Sequence, residues 1–225
     1  MSGDYAWSTV SAPKSVQLRG IESFEGTAFA SGQGGLLMER TGPGEWESVF
    51  TTGATGDGRG IIDVSLTDDG GRVWFAGSSG TFGYYDRQQE SVVPHSGPYD
   101  VTANFKSVSA NGETGSESVH AVDDAGQVLR VTMDGEGLAV DGVAVPGDGA
   151  GFTEVVDHRG ALYATDRAGR LHRSDDGRNW TSKRLAETAI KALSRTDPGL
   201  VAIDDGGTVY KHVSLFGEDG RTKKA

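Results

Sequence analysis

The sequence predicts an all-β fold, a five-bladed β-propeller closed by an N-terminal strand that completes the last blade. One stretch, Ala202-Ile203-Asp204-Asp205-Gly206-Gly207-Thr208-Val209, occurs five times, with counterparts at Phe29 to Leu36, Phe75 to Phe82, Ala121 to Val128 and Ala164 to Leu171. Each copy is a small or apolar pair, a polar turn, a glycine and an apolar residue two places on, which reads as a hairpin. The anchoring glycines Gly34, Gly80, Gly126, Gly169 and Gly207 are 46, 46, 43 and 38 residues apart, a period that marks a repeat architecture. Finally, 225 residues shared among five units leave about 45 each, the length of one four-stranded blade.

A polar lead precedes Trp7-Ser8-Thr9-Val10, which reads as a strand. Ahead of each glycine stretch stand two apolar residues three apart: Leu18 and Ile21, Ile61 and Val64, Phe105 and Val108, Phe152 and Val155, Ile190 and Leu193. These are expected to form the innermost strand of each blade. The second strands are Ala28-Phe29-Ala30, Val73 to Ala76, Ser118 to Val122, Leu162 to Ala164 and Leu200 to Ile203, rich in small residues that suit crowded sheets. Third strands follow the glycines, as in Gln127 to Val131 and Thr208 to His212. Outer strands are expected at Trp46 to Val49, Gln89 to Val92, near Leu138 to Val145 and at Trp180 to Lys183. The fifth unit has no such strand before the chain passes Phe216. Trp7 to Val10 matches the outer-strand pattern, so it is expected to complete that blade and remove exposed edges. The chain is thus one domain, residues 1–225, with blades at about 18–60, 61–104, 105–151, 152–189 and 190–216 plus 6–10.

Asp and Glu total 32 against 21 Lys and Arg, a net charge of −11 that opposes direct nucleic-acid binding. Arginine outnumbers lysine and Asp outnumbers Glu, a balance found in proteins adapted to high internal salt. There are no cysteines, which excludes disulfides, thiolate metal sites and cysteine nucleophiles. No run approaches the roughly 18 apolar residues that span a bilayer. The expected setting is the cytoplasm, or a virion or other assembly built there, with no membrane partner.

The pattern resembles BNR or Asp-box repeats, especially the photosystem II assembly factor-like and sialidase-type propellers, whose blade length is shared with WD40- and YVTN-like repeats. The copy that carries the resemblance is Ser174-Asp175-Asp176-Gly177-Arg178-Asn179-Trp180, with the motif's aspartate on Asp175, its glycine on Gly177 and its aromatic on Trp180. Arg173 stands where the motif has Ser or Thr. A second copy, Thr41 to Trp46, keeps Gly44 and Trp46 without the aspartate. The resemblance implies a structural role, in which the aspartate accepts hydrogen bonds within a hairpin turn and the tryptophan packs between blades.

Glycoside hydrolysis would need two carboxyl groups about 5 to 10 Å apart across a channel, for which Glu22, Asp63 and Glu154 are the candidates. The acidic turns at Asp123-Asp124, Asp166 and Asp204-Asp205 lack the alternating ligands of a calcium loop and read as tight turns. His95, His120, His158, His172 and His212 are scattered, and no metal or cofactor is expected. Gly53 to Gly60 lacks the Gly-Lys-Ser/Thr ending of a phosphate loop and reads as an inter-blade link. The residue after the first apolar position of each inner strand is Arg19, Ile62, Lys106, Thr153 or Lys191. Arg19, Lys106 and Lys191 therefore form a cationic column at one channel mouth, suited to an anion or an acidic partner segment. The expected function is non-enzymatic: a protein-binding scaffold within a larger assembly. The alternative is a carbohydrate-binding or glycoside-hydrolase-like propeller, with Tyr84, Tyr85 and Tyr99 as candidate sugar platforms.

Overall fold

The computed structural model describes residues 8–135, 137–196 and 199–211. Five antiparallel sheets stand in a ring. The first blade is β1 (Leu18–Phe24), β2 (Thr27–Gly32), β3 (Leu36–Gly42) and β4 (Glu45–Phe50). The second is β5 (Ile61–Leu66), β6 (Arg72–Gly77), β7 (Phe82–Asp86) and β8 (Ser91–Pro94). The third is β9 (Phe105–Asn111), β10 (Ser118–Asp123), β11 (Val128–Met133) and β12 (Leu138–Ala144). The fourth is β13 (Phe152–His158), β14 (Ala161–Asp166), β15 (Arg170–Ser174) and β16 (Thr181–Arg184). The fifth, among the described residues, is β17 (Ile190–Arg195), β18 (Leu200–Asp204) and β19 (Val209–Lys211). Within each sheet the strands lie in sequence order from the centre outward, and β1, β5, β9, β13 and β17 pack side by side in that order.

The apolar pairs three apart are at odds with the period of two that a strand imposes, since positions i and i+3 face opposite sides. The register resolves this. Every inner strand carries an irregularity between the two members of the pair, between Leu18 and Ile21 in β1, Ile61 and Asp63 in β5, Phe152 and Glu154 in β13, and Ile190 and Ala192 in β17; β9 has its own opposite Val122 and Asp123. One extra residue returns the second apolar side chain to the face of the first. In β5, β9, β13 and β17 both then enter the interface with the preceding blade. Ile61 and Val64 cluster with Phe29 and Leu37, Phe105 and Val108 with Ala76 and Phe82, Phe152 and Val155 with Val122 and Val128, and Ile190 and Leu193 with Leu171. Burying one such side chain contributes about 1.5–3 kcal/mol.

The register also corrects the repeat alignment in the first blade. Val64 stands opposite Phe75, whereas Ile21 stands opposite Ala30 rather than Phe29. The anchoring glycine of this blade is therefore Gly35, not Gly34. Gly35 has φ +73°, and a Cβ there would lie 2.1 Å from the Gly53 nitrogen, just as one on Gly80 would meet the Val101 carbonyl and one on Gly169 the Ala186 carbonyl. These turns need glycine because the chain returning from the outer strand crosses them. The Gly53 N–H donates to the Gly35 carbonyl at 2.8 Å, and the Gly97 N–H to the Gly80 carbonyl at 2.8 Å.

The expected closing strand falls partly on Trp7, which is outside the described residues, as are His212, Phe216 and the terminal Arg221 to Ala225. Ser8 to Val10 are exposed and irregular. Val10 lies beside Gly44, in the β3–β4 turn of the first blade, and Val16 packs on Ala30, Leu36 and Met38 of that blade together with Trp46. The described N-terminal segment thus runs along the first blade.

Between the second and third blades lies a buried ionic network. Glu117, fully buried, accepts from the Arg72 guanidinium at 2.9 Å, the Trp74 indole at 3.2 Å and the Gly115 N–H at 2.5 Å. Arg72 also reaches Asp86 at 3.4 Å and lies 4.6 Å above the Tyr84 ring. Removing one partner of a buried pair leaves the other charge uncompensated. Glu117→Ala is accordingly expected to lose about 3–5 kcal/mol of stability in denaturant unfolding, and a double variant that also replaces Arg72 with Met should recover part of that loss.

Candidate functional site

The five inner strands enclose a channel of about 440 Å³, lined by Glu22, Asp63 and Glu154 with Ser65, Ser109, Ser194 and Arg195 among others. The inserted residue that brings each apolar pair onto one face also turns its neighbour toward the channel. Asp63, Ser107 and Glu154 occupy equivalent positions on β5, β9 and β13. They are joined across the blades: the Ser107 hydroxyl donates to Glu154 at 2.6 Å, and the Val108 N–H donates to Asp63 at 2.9 Å. A second belt runs beside the first, with the Ala110 N–H donating to Ser65 Oγ at 3.1 Å and the Asp157 N–H to Ser109 Oγ at 3.0 Å. The channel carboxylates therefore tie neighbouring blades together.

Burial and the nearby Asp63 charge push Glu154 up to about 8, with the Ser107 bond opposing. Asp63 is raised by burial, and Glu22 by burial against the opposing pull of Arg195. Such a site holds a proton near neutrality. Its carboxylates accept bonds from the protein's own groups, and the described residues contain no cluster of three His, Cys, Asp or Glu arranged to hold a metal ion.

At one mouth, Arg19 and Lys106 line a hollow of about 350 Å³ with Gln17, Leu18, Ile62, Asp63 and Glu154. The cationic column is locally neutralised at two of its three positions. Lys106 lies 3.4 Å from Asp124 and Lys191 lies 3.1 Å from Asp205, both aspartates coming from the glycine turn of the same blade. Arg19 donates to the Gln17 side chain at 3.1 Å.

The preceding aspartates of those turns have a separate use. Asp123 Oδ1 accepts from Ala125 and Gln127, Asp166 Oδ1 from Ala168 and Arg170, and Asp204 Oδ1 from Thr208, at 2.8–2.9 Å. They close the hairpins. Asp166 Oδ2 additionally meets His172 Nε2 at 3.0 Å, and His172 Nδ1 meets the Ser182 hydroxyl at 2.7 Å. This Ser-His-Asp chain has the two imidazole nitrogens reversed relative to a hydrolase triad. His172 and Asp166 are moreover buried, at 0% and 1% exposure, so no substrate reaches the imidazole. Nothing in the sequence spacing indicated the chain, because Asp166 and His172 face each other across a turn and Ser182 comes from the outer strand.

In the stretch that resembles an Asp box, the carboxylate that organises the turn is Asp176. It accepts from the Arg178 N–H at 2.9 Å and from the Asn179 N–H and side-chain amide at 2.7 Å each, while the Ser174 hydroxyl accepts from Gly177 N–H at 2.9 Å. Asp175, one place earlier, pairs at the surface with Arg173. Gly177 has φ +70° and lies against His120, and the Trp180 indole donates to the Gly177 carbonyl at 3.2 Å. Trp180 packs on the cluster shared by the third and fourth blades, and Trp46 on that of the first. Gly44, with φ +80°, makes the tight β3–β4 turn. Among the tyrosines, Tyr84 is buried beneath Arg72 and beside Trp74, which removes it as a sugar platform. Tyr85 sits within β7, and Tyr99 is exposed and does not line the channel.

No protein-family model and no curated protein sequence matches this chain. Solved structures match in fold. The structure of U3-55K aligns at a TM-score of 0.71 with 10% identity, over 90% of this chain and 63% of that one. The RRP9 WD40 repeats align at 0.72 with 10% identity, over 90% and 62%. A chain of the mitotic checkpoint complex aligns at 0.69 with 11% identity, over 100% and 74%. The protein is thus a five-bladed β-propeller with WD40-repeat structural neighbours, and it spans under two thirds of the first two.

The raised Glu154 makes stability depend on pH. An acid that holds its proton more tightly folded than unfolded gives stability that is full below its ordinary value of 4.5 and is lost as pH rises through about 8. Thermal melts are expected to shift downward between those limits. Glu154→Gln, which keeps an acceptor for Ser107, should flatten the profile and raise the melting temperature at its alkaline end.

Proposed function

We propose that this chain is a non-enzymatic, protein-binding propeller that serves as a component of a larger assembly. The observation that carries this reading is the likeness of its fold to the RRP9 WD40 repeats and to a chain of the mitotic checkpoint complex. The geometry supports it: a ring of sheets is a rigid, pre-formed surface, and the channel's acidic groups are occupied in joining blades. Arg19, Lys106 and Lys191 mark one mouth as the face for an acidic partner segment, which would exchange its carboxylates for those of Asp124 and Asp205. The acidic, arginine-rich composition supports a cytosolic or virion-associated setting at high salt.

Tagged protein drawn from its native lysate at native salt is expected to carry one stoichiometric protein companion. Lys106→Glu combined with Lys191→Glu should weaken that association at least roughly tenfold. Undiminished capture by the double variant would remove the mouth as the binding face, and no companion for either protein would sink the scaffold reading. Because the net charge is −11, the melting temperature is also expected to rise between about 0.1 M and about 2 M KCl as self-repulsion is screened.

A further inference from the structure

The repeat supplies its own controls for each surface position, and one inter-blade seam departs from the rest. Where the apolar pair of an inner strand meets the preceding blade, Ile61, Val64, Phe105, Val108, Phe152, Val155, Ile190 and Leu193 are all at most 5% exposed. Leu18 and Ile21, at the same positions in the first blade, are 46% and 68% exposed. On the opposite side of the seam, Val209 is 53% exposed while its equivalents Leu37, Phe82, Val128 and Leu171 are at most 2%. Ile203 is 42% exposed while Ser31, Ala76, Val122 and Thr165 are buried completely. These four side chains are the two halves of the seam between the fifth blade and the first. Each half has the composition of a packed interface, and neither is covered among the described residues.

Four seams are close-packed, and that packing fixes the angle between successive blades. Five blades at this angle do not bring β17 against β1, although Arg195 reaches Glu22 across the channel side at 3.6 Å. Pressing the ring shut would strain the four interfaces that are already made. The comparisons bear on the same point. The five blades superpose on the three solved chains, the RRP9 WD40 repeats among them, over 90–100% of this chain while leaving roughly a quarter to two fifths of those chains unmatched. A curvature shared with longer chains leaves room in the ring for more sheet. The 24 residues of this sequence outside the described ones, 21 of them at its two ends, are also fewer than the 34 that make the second blade, Ile61 to Pro94.

We infer that the open seam is a docking slot for β-sheet from outside these 225 residues: at least one further propeller blade, inserted between the fifth and the first. The inference rests on the protein-binding reading and names the partner's chemistry. The four closed seams specify the occupant. Toward Ile203 and Val209 it presents an inner strand with two apolar residues three apart. Toward Leu18 and Ile21 it presents the small and apolar residues of a second and third strand. Lys211, two places beyond Val209 on the same face of β19, gives the fifth-blade side of the slot a basic rim, and Arg195 joins it once its long contact with Glu22 yields. Within a chain of net charge −11, that rim favours acidic residues flanking the occupant's apolar pair. The Glu22–Arg195 pair is half-exposed and long, and it yields to an entering strand at little cost.

The absence of cysteine from the chain makes the test direct. Single cysteines replace Ile21, Val209, Val64 and Val128 in otherwise unaltered protein, and their labelling by a maleimide is timed alongside sedimentation. Cysteines 21 and 209 are expected to react roughly 100-fold faster than cysteines 64 and 128 in a monomer, as open and protected sites differ. The probe for the slot is a copy of the protein's own second blade, residues 61–104, inserted once or twice in tandem between Asn104 and Phe105. One of these insertions is expected to slow cysteines 21 and 209 at least tenfold. Protection of both cysteines in the unmodified monomer would mean that the ring or its own termini close the seam, and would overturn the inference. Protection that appears only with dimerisation would assign the slot to a second copy and overturn it equally. If both insertions fold and leave the cysteines reactive, the slot does not accept a blade. A companion captured as above by a monomer with a closed seam would leave the scaffold reading standing without this one.

Discussion

The structure depends on one local device, the extra residue in each inner strand. A β-strand alternates its faces, so two apolar side chains three apart would point into opposite seams. The insertion turns them to the same side, where in β5, β9, β13 and β17 they together fill the interface with the preceding blade. The same irregularity rotates the intervening residue toward the channel, which is how Asp63, Ser107 and Glu154 come to form a belt. Core and channel are therefore two consequences of a single backbone feature. The glycine turns complete the arrangement, because only a residue without Cβ lets the returning chain cross so closely.

Polar groups here serve mainly to hold sheet against sheet. Glu117 gathers donors from Arg72, Trp74 and its own loop, Asp166 fastens a hairpin and an imidazole at once, and the channel carboxylates accept backbone and serine donors from the neighbouring blade. A buried carboxylate is tolerable only when its lone pairs are used. In the acidic channel that use is architectural: Glu154 and Asp63 each accept a donor from β9 of the neighbouring blade. The surface cations follow the same economy, with Lys106 and Lys191 answered by aspartates from their own blades.

Much of the fold was legible in the sequence because repetition multiplies a weak signal. Five copies of a hairpin pattern located every inner and second strand, and the outer strands at Trp46 and near Leu138 lay where expected. The misplacement of the first anchoring glycine came from a run of two, Gly34-Gly35, which gives no local ground for choosing; strand register decides it. The aspartate that closes the turn before Trp180 was misplaced for the same reason, Asp175 and Asp176 being adjacent and chemically alike until the Arg178 and Asn179 N–H groups select one. The Ser182–His172–Asp166 chain had no sequence signature, since it joins a turn and two strands that only pairing brings together.

By itself, then, the sequence determined the number of blades, the strand order within each and the acidic character of the surface, because these follow from period, alternation and composition. The tertiary structure alone decided which side chains share a seam, which carboxylates meet in the channel, and which apolar side chains between the last blade and the first are left uncovered among the described residues. Those outcomes hang on the angle at which sheets pack. That angle is a property of interlocking side chains summed around the ring, and no single repeat contains it.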